Sequence, residues 1–303
     1  MPTERCDRVD GILLVDKPEG ITSAGVVRVV KCRLGGEKVG HLGTLDPFAT
    51  GVLPLAVGEG SKLVPFLNED EKAYVGKIAL GRATNTLDST GETTEERDVP
   101  VLSAATIDEA ASRFRGEIAQ VPPMFSALKR DGRRLYELAR RGVEVELTPR
   151  TVTIHSLTLR PFDARTLELS VRCSKGTYVR SLARDVAEVL GTVGHLASLR
   201  RTEFGRFRVA EAVELAAIER AANVPILAPR EALAGIREFS VDDAMVECIR
   251  RGQQYALSGL PPPAGSAEIV KVVGRQGDLV ALLEADRAHW TIARVLTVRD
   301  PRS

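Results

Sequence analysis

The chain is poor in the residues that build metal centres and disulfide frameworks. Its 303 residues include four cysteines and four histidines. The cysteines stand far apart without a CxxC pair, and the histidines show no metal-ligand spacing. This pattern excludes a zinc-finger or disulfide-stapled protein, so we expect reduced thiols and no bound metal.

Long apolar runs are missing as well. No stretch approaches the ~20 apolar residues that a helix needs to cross a bilayer. The N-terminal sequence MPTERCDRVD lacks the apolar core of a signal peptide. The sequence therefore predicts a cytoplasmic protein that makes no contact with a membrane.

The common cofactor and nucleophile motifs are absent. Residues 57–62 (VGEGSK) are glycine-rich and end in lysine, but they lack the spacing of a phosphate-binding loop. No dinucleotide-binding fingerprint follows a strand, and no G-x-S-x-G elbow occurs. We therefore expect no nucleotide cofactor and no serine-hydrolase chemistry.

Neither sign of charge dominates, since the net charge is +1, but the charge is unevenly distributed. Residues 126–150 carry seven lysines and arginines against four acidic residues, a local charge of +3. Residues 175–208 carry seven against three, a local charge of +4. Two basic blocks fit a surface that binds a polyanion, and solvated helix faces are the alternative explanation.

Hydrophobic periodicity predicts a mixture of strands and helices without strict alternation, which is typical of an α+β fold. The predicted strands are 11–18, 73–81, 151–159 and 166–173, and the predicted helices are 22–32, 106–114, 134–141 and 177–190. Residues 81–100 are polar and predict a surface loop. In the helix at 177–190, Leu182, Val186 and Leu190 recur at helical spacing and Gly191 can end it.

The character of the chain changes near residue 238. A predicted helix at 241–250 precedes three short strand-like runs, at 267–273, 279–283 and 291–298. The sequence thus predicts two domains, 1–237 and 238–303, of which the second is small and rich in strands.

The most unusual stretch is 40–54 (GHLGTLDPFATGVLP), which mixes glycines and prolines with one histidine and one aspartate. Asp46-Pro47 on its own is typical of a helix start, with aspartate as N-cap. That interpretation leaves Gly40, His41 and Gly43 unexplained. A lone carboxylate on a specially shaped loop can instead serve as a nucleophile or a base.

Several motifs together resemble one enzyme family. The loop at 40–54 is similar to the signature loop of the tRNA pseudouridine-55 synthases of the TruB type. The further matching motifs, in the family's order, are LVDKPEGITS at 14–23, Tyr74 opening its strand, PPMFSALK at 122–129, CSKGTYVR at 173–180 and LRR at 199–201. The resemblance covers about residues 11–208, and the C-terminal part resembles a PUA domain only in size, position and strand content.

The resemblance implies the pseudouridine-synthase fold, with a mixed, largely antiparallel sheet flanked by helices and loops. It implies that Asp46 is the catalytic carboxylate and that Tyr74 and Arg180 are its active-site partners. An arginine beside the carboxylate would keep it ionised. Without the resemblance, an ordinary surface arginine explains Arg180 equally well. Core packing is likewise the alternative explanation for Tyr74.

The family's base-flipping chemistry implies further substrate contacts. His41 would fill the place that the flipped base leaves, Tyr178 and Leu199 would line the pocket, and Lys17 would contact a phosphate or lie beside the loop. Each also has an ordinary explanation, as a buried histidine, as core residues or as a solvated lysine. The residues expected to meet the RNA backbone are Lys129, Arg130, Arg133, Arg134, Arg200 and Arg201, with Arg206 and Arg208 beside them.

The implied activity is isomerisation of uridine to pseudouridine in the T arm of tRNA, by a monomer that needs no cofactor, metal or guide RNA. Two alternatives stay open. The chain could modify ribosomal RNA within a guide-RNA particle, or it could bind and fold RNA with a vestigial site. The sequence also leaves open whether Asp46 attacks the sugar or the base, and which group takes the sugar proton.

Overall fold

The structure is a computed structural model, and it describes residues 10–67, 71–126, 129–130, 133–135, 145 and 147–297. Its strands are β1 (Gly11–Lys17), β2 (Val39–His41), β3 (Thr50–Val57), β4 (Glu71–Leu80), β5 (Arg82–Thr84), β6 (Thr93–Glu96), β7 (Gly116–Gln120), β8 (Lys129–Arg130), β9 (Arg133–Arg134), β10 (Arg150–Asp163), β11 (Thr166–Ser174), β12 (Gly194–Phe204), β13 (Phe207–Arg208), β14 (Val213–Glu214), β15 (Arg237–Ser240), β16 (Ile269–Val273), β17 (Leu279–Asp286) and β18 (His289–Val295). Its α-helices are α1 (Ser23–Arg33), α2 (Val64–Leu67), α3 (Ala104–Ser112), α4 (Val179–Val189), α5 (Leu215–Arg220), α6 (Pro229–Ala232) and α7 (Asp243–Arg250). None of these described helices has the length and apolar character to cross a bilayer.

One ten-stranded sheet organises most of the chain. Its order is β14-β1-β3-β12-β4-β11-β10-β7, with β13 paired to β12 and β2 paired to β3. The β1–β14 and β3–β12 pairs are parallel, and the other pairs are antiparallel. The predicted α+β class with a mixed, largely antiparallel sheet is confirmed.

The central strands β4 and β11 have one buried face because their side chains alternate. Tyr74 and Ile78 of β4 lie on the core face, directly opposite Val171 and Leu167 of β11. Val75, between them, is exposed on the other face. Because of this alternation, the Tyr74 side chain points into the core.

The neighbouring strands β1 and β3 are buried on both faces, as their continuous apolar sequences require. Leu13 and Val15 pack into the main core, which the sheet forms with α1, α3 and α4. Ile12 and Leu14 pack on the opposite face, into a cluster that includes Val273 and other residues of the C-terminal part. The four-stranded sheet β15-β16-β17-β18 thus shares a core with β1 and β3.

Local signals mark the start of α1 and the end of α4, whereas α4 begins at Val179 rather than at 177. The Thr22 side chain accepts a hydrogen bond from the Gly25 N–H at 2.9 Å and caps α1. In α4, Leu182 and Val186 are fully buried against the sheet. Gly191 follows its end with a φ of 80°, a conformation that glycine adopts without strain.

Three local predictions need correction or lie outside the description. Helix α3 begins at Ala104 rather than at 106, because the Ser103 side chain accepts the capping bond from Thr106 N–H at 3.1 Å. The polar stretch 81–100 is not a plain loop, since β5 and β6 pair within it. The helix expected at 134–141 falls largely outside the described residues.

Candidate active site

The loop between β2 and β3 carries Asp46. Its backbone carbonyl accepts a hydrogen bond from the Ala49 N–H at 3.1 Å, which closes a β-turn. No helix starts here, so the interpretation of Asp46 as a helix N-cap is wrong. Leu45 and Phe48 are buried, whereas the Asp46 side chain keeps 35% of its surface exposed. Apolar side chains thus anchor the loop while its carboxylate faces outward.

Lys17, at the end of β1, is fully buried beside this loop. Its Nζ donates to the carbonyls of Pro18 at 2.8 Å, Pro47 at 3.1 Å and Ala49 at 2.6 Å. Burial lowers the pKa of Lys17 to about 8, although the Asp46 charge acts in the opposite direction. The backbone takes all three ammonium protons, so Lys17 supports the loop. The expected substrate contact of Lys17 is therefore corrected.

Arg201 is also fully buried. Its Nε donates to the Val52 carbonyl at 2.8 Å, Nη2 to the Gly43 carbonyl at 3.1 Å and Nη1 to the Thr44 carbonyl at 3.4 Å. The register explains this, because Arg201 lies directly opposite Tyr74 on the core face of β4. The expectation that Arg201 contacts RNA phosphates is wrong, since its guanidinium does not reach the surface.

Two glycines allow the loop to lie against β12. Gly51 has a φ of 106°, and a Cβ there would lie 2.2 Å from the Arg201 carbonyl oxygen. A Cβ on Gly43 would lie 2.5 Å from the Phe204 ring. By contrast, a Cβ on Gly40 would meet nothing within 4 Å. Close packing therefore requires glycine at 43 and 51 but not at 40.

Arg180, in the first turn of α4, contacts Asp46 with two nitrogens. Its Nε lies 2.9 Å from Oδ2, and its Nη2 donates to Oδ1 at 3.3 Å. The guanidinium also donates to the backbone carbonyls of Thr86 and Phe125, each at 2.8 Å. Only 4% of the Arg180 side chain is exposed. The structure thus brings Asp46 and Arg180 together and fixes the orientation of the arginine.

Asp88 is a site residue that the sequence analysis missed. Its Oδ2 lies 3.4 Å from Nη1 of Arg180, and only 6% of its side chain is exposed. Its Oδ1 accepts hydrogen bonds from the hydroxyls of Thr86 at 2.7 Å and Thr90 at 2.6 Å. The threonines on both sides of Asp88 indicate a hydrogen-bonded turn. Its charge partner is remote in sequence, and no local pattern identifies it.

Opposing influences set the protonation of Asp46. Burial raises the pKa of its carboxyl above the ordinary value, the Arg180 charge lowers it, Asp88 raises it and Lys17 lowers it. The carboxyl group contacts a guanidinium at two points, and a third of the side chain remains open to solvent. Both features favour the charged form of the carboxyl group over the neutral form.

The charge of Asp46 affects the pKa values of both predicted site tyrosines, Tyr74 and Tyr178. Burial raises the pKa of Tyr74, while the adjacent Arg201 lowers it. Burial also raises the pKa of Tyr178, which is the N-cap residue of α4. Asp46 raises the pKa of both phenols, so both are neutral at pH 7. Leu199 is buried in the same core as Tyr74.

His41 ends β2, at the start of the loop. Burial lowers its pKa, and the Arg201 charge lowers it further. Its Nδ1 is buried and has no hydrogen-bond partner among the described residues. The imidazole is therefore neutral at pH 7, as suits a ring that stacks rather than one that pairs with phosphate.

The remaining predicted RNA contacts are placed only in part. Arg200 is partly exposed, and its two outer nitrogens donate to the Asp16 carboxylate at 3.0 and 2.7 Å. Arg206 donates to backbone carbonyls near α6, whereas Arg208 is largely exposed. The side chains of Lys129, Arg130, Arg133 and Arg134 lie outside the described part of the chain, although their backbone forms the β8–β9 pair.

A cavity of about 730 Å³ lies against the outer face of β4. Its lining includes Val75, Phe48 of the Asp46 loop and the predicted pocket residue Leu199, but neither Asp46 nor Arg180. In the described part of the chain, no group of three or more histidine, cysteine, aspartate or glutamate side chains could hold a metal ion.

Comparison with known proteins identifies the family. Residues 31–179 match the description "TruB family pseudouridylate synthase (N terminal domain)", and residues 180–231 match "tRNA pseudouridylate synthase B C-terminal domain". The tRNA pseudouridine synthase B of Aromatoleum aromaticum is 44% identical over 282 residues, covering 92% of this chain and 89% of the relative. That of Geobacter sulfurreducens is 43% identical over 291 residues, covering 93% and 96%.

Solved structures show the same fold. A chain in a "Cbf5-Nop10-Gar1 Complex" is 25% identical with a TM-score of 0.67, covering 95% of this chain and 84% of that one. A chain in the "archaeal box H/ACA sRNP Nop10-Cbf5 complex" is 24% identical with a TM-score of 0.69, covering 98% and 89%. Given relatives that are more than 40% identical over most of both chains, this chain belongs to the TruB family of pseudouridylate synthases.

Proposed function

We propose that this chain isomerises uridine to pseudouridine at position 55 in the T loop of tRNAs. In this reaction the bond from N1 to C1′ breaks and a bond from C5 to C1′ forms, while C5 gives up a proton and N1 gains one. The observation that carries the proposal is the two-point contact of Arg180 with the partly exposed carboxylate of Asp46. Curated relatives named tRNA pseudouridine synthase B support the choice of tRNA.

Asp46 supplies the charge that the reaction needs. An ionised carboxylate can attack covalently or stabilise the positive charge that develops at C1′ as the glycosidic bond breaks. Arg180 keeps that carboxylate ionised, and the backbone acceptors at Thr86 and Phe125 hold the arginine in place. The carboxylate therefore meets the substrate in one orientation, without a reorganisation during the reaction.

Tyr74 and His41 handle the flipped nucleotide. Extrusion of a base costs a few kcal/mol, which contacts to the base and to its vacated place offset. A neutral Tyr74 ring stacks on the uracil, and Tyr178 and Leu199 line the same pocket. A neutral His41 fills the vacated place from the other end of the loop. The raised pKa of Tyr74 and the lowered pKa of His41 support these neutral states.

The chain acts on tRNA alone, as a cytoplasmic monomer without a guide RNA. The structural neighbours from complexes that contain Cbf5 are 24–25% identical to this chain, whereas the curated tRNA pseudouridine synthases are 43–44% identical over most of it. Residues 1–237 form the catalytic domain with the basic insertion at 126–150, and residues 238–303 form a PUA-like RNA-binding domain. The separate sheet β15-β16-β17-β18 supports this division.

The test uses purified protein and a T-arm stem-loop that carries tritium at C5 of uridine. We expect tritium release without any guide RNA, and no release when cytidine replaces the target uridine. Release only in the presence of a guide RNA would contradict the stand-alone activity. Mapping of the product to another position would contradict the choice of position 55.

Asp46→Asn separates an enzyme from an RNA-binding protein with a vestigial site. We expect this variant to lose tritium release below detection while it binds tRNA within about threefold of the unchanged protein. Asp163→Asn, in the hairpin between β10 and β11, is the matched control and should keep full activity. Catalysis by Asp46→Asn would falsify the role given to this carboxylate.

A further inference from the structure

Gln120, the last residue of β7, is buried, with 2% of its surface exposed. Its side-chain amide makes two hydrogen bonds with the main chain of one residue, Tyr178. The Tyr178 N–H donates to Oε1 at 2.8 Å, and Nε2 donates to the Tyr178 carbonyl at 3.1 Å. The two partners fix the orientation of the amide, because one requires an acceptor and the other a donor.

Tyr178 is the N-cap residue of α4, and its own side chain makes no capping hydrogen bond. The amide of Gln120 therefore holds the backbone at the point where the helix begins. Arg180 follows two residues later, within the first helical turn. A shift of the helix start would move the guanidinium relative to Asp46, which it meets at 2.9 and 3.3 Å.

The segment after Gln120 fastens the same helical turn. The Ser181 hydroxyl donates to the Val121 carbonyl at 2.8 Å, and Arg180 Nη2 donates to the Phe125 carbonyl at 2.8 Å. Residues 120–125 thus make hydrogen bonds with Tyr178, Arg180 and Ser181, at the start of α4. Among these contacts, the bonds to Tyr178 are the ones that a side chain of this segment makes, so substitution of Gln120 can test them.

We propose that Gln120 is a positioning residue for the isomerisation, which acts by fixing the main chain of Tyr178 so that Arg180 meets Asp46 in its two-point geometry. The proposal rests on the proposed function. Gln120 does not touch the substrate, so its loss should affect the rate of the chemical step and leave RNA binding unchanged.

Two substitutions test this. Gln120→Met keeps the shape and removes both hydrogen bonds. We expect kcat to fall by about 10- to 100-fold, as for a catalytic group misplaced by up to ~1 Å, while the Kd for tRNA stays within about twofold. Gln120→Glu keeps an acceptor for the Tyr178 N–H, but it has a donor for the carbonyl only when protonated. Its kcat should therefore approach that of the unchanged protein as the pH falls from 8 to 6, whereas the deficit of Gln120→Met should not change.

Ser103→Ala is the matched control, because it removes the N-cap of α3, whose side-chain hydrogen bonds go to Thr106. It should lower Tm and leave kcat unchanged. A wild-type kcat in both Gln120 variants would overturn the proposal. If kcat fell in proportion to Tm in both Ser103→Ala and Gln120→Met, the loss of activity would reflect lower stability alone. This result would also overturn the proposal.

A readout without RNA separates this proposal from the proposed function. The ¹⁵Nε–H resonance of Arg180, assigned with Arg180→Lys, should shift in Gln120→Met and stay in place in Ser103→Ala. If the unchanged protein lacked pseudouridine formation while this shift occurred, the proposed function would fail and the positioning of Arg180 by Gln120 would stand. An unshifted resonance would refute the positioning role.

Discussion

Lys17 and Arg201 donate hydrogen bonds to different backbone carbonyls around Asp46. Lys17 holds those of Pro47 and Ala49, and Arg201 holds those of Gly43, Thr44 and Val52. Each buried charge thus gains several hydrogen bonds, which offset its desolvation. The shape of the catalytic loop therefore depends on two cations that never reach the surface.

The first prediction concerns Lys17 and pH. Its pKa falls from 10.5 in the unfolded chain to about 8 in the folded protein, so the unfolded chain binds more protons between these two values. The contribution of Lys17 to the free energy of unfolding therefore rises as the pH rises from 8 to 10.5, by up to about 3 kcal/mol. Urea unfolding at several pH values measures the free energy of unfolding of the unchanged protein and of Lys17→Met. The unchanged protein should gain stability relative to this variant as the pH rises. A difference independent of pH would contradict this, and Lys31→Met on α1 controls for the loss of one exposed lysine.

The second prediction compares Gly40, in β2, with Gly43, in the loop that follows it. Gly43→Ala should lower the free energy of unfolding by about 1–3 kcal/mol, because the new methyl group forces the Phe204 ring to move. Gly40→Ala should change it by less than about 0.5 kcal/mol, since open space surrounds that position. Urea denaturation of both variants measures the contrast. Equal stability of the two variants would refute the packing of Phe204 against the loop.

The third prediction concerns Asp88. Asp88→Asn removes the second carboxylate from the buried guanidinium of Arg180 and leaves the hydrogen-bonded turn largely in place. We expect kcat to fall by about tenfold or more, since misplacement of a catalytic group by ~1 Å costs up to about 100-fold. The Kd for tRNA should change by less than about threefold. Single-turnover kinetics and filter binding measure the two quantities, with Asp98→Asn, at an exposed position just after β6, as the control. A variant with normal kcat and weakened binding would exclude the positioning role of Asp88.

The fourth prediction concerns the basic insertion at 126–150. Neutralising Arg133 and Arg134 together with glutamine should weaken tRNA binding and flatten its salt dependence. The magnitude of the negative slope of log K against log salt should fall by about 1–2, since each phosphate contact contributes roughly 0.7–0.9 to it. Arg113→Gln on α3 is the control and should leave the slope unchanged. An unchanged slope in the double variant would remove these two residues from the RNA interface.

Local patterns predicted much of the fold. The alternation in β10 and β11 and the apolar spacing in α4 reflect burial on one face, which a sequence displays directly. The start of α3 was misplaced because both Ser103 and Thr106 are good capping residues, and the structure uses the first. The hairpin of β5 and β6 was missed because its residues are polar and mostly exposed.

The site was predicted less evenly. Asp46, Tyr74 and Arg180 were identified by resemblance to a family, not by any local physical signal. Arg201 was expected at RNA phosphates as part of a basic block, and Lys17 was expected at a phosphate, beside the loop or in solvent, because charged residues usually face solvent. Their acceptors are backbone carbonyls 30 and 149 residues away, which no sequence pattern displays. The charge partner of Asp88 was hidden for the same reason.

The contacts that assemble the site join distant parts of the chain. The contact of Arg180 with Asp46 spans 134 residues, and that of Arg201 with Val52 spans 149. Such non-local contacts form late and slowly in folding. During synthesis from the N-terminus, the nascent chain therefore carries Asp46 long before the loop around it has a defined shape. A ribosome that stalls before β12 emerges leaves a polypeptide that contains Asp46 but has no active site.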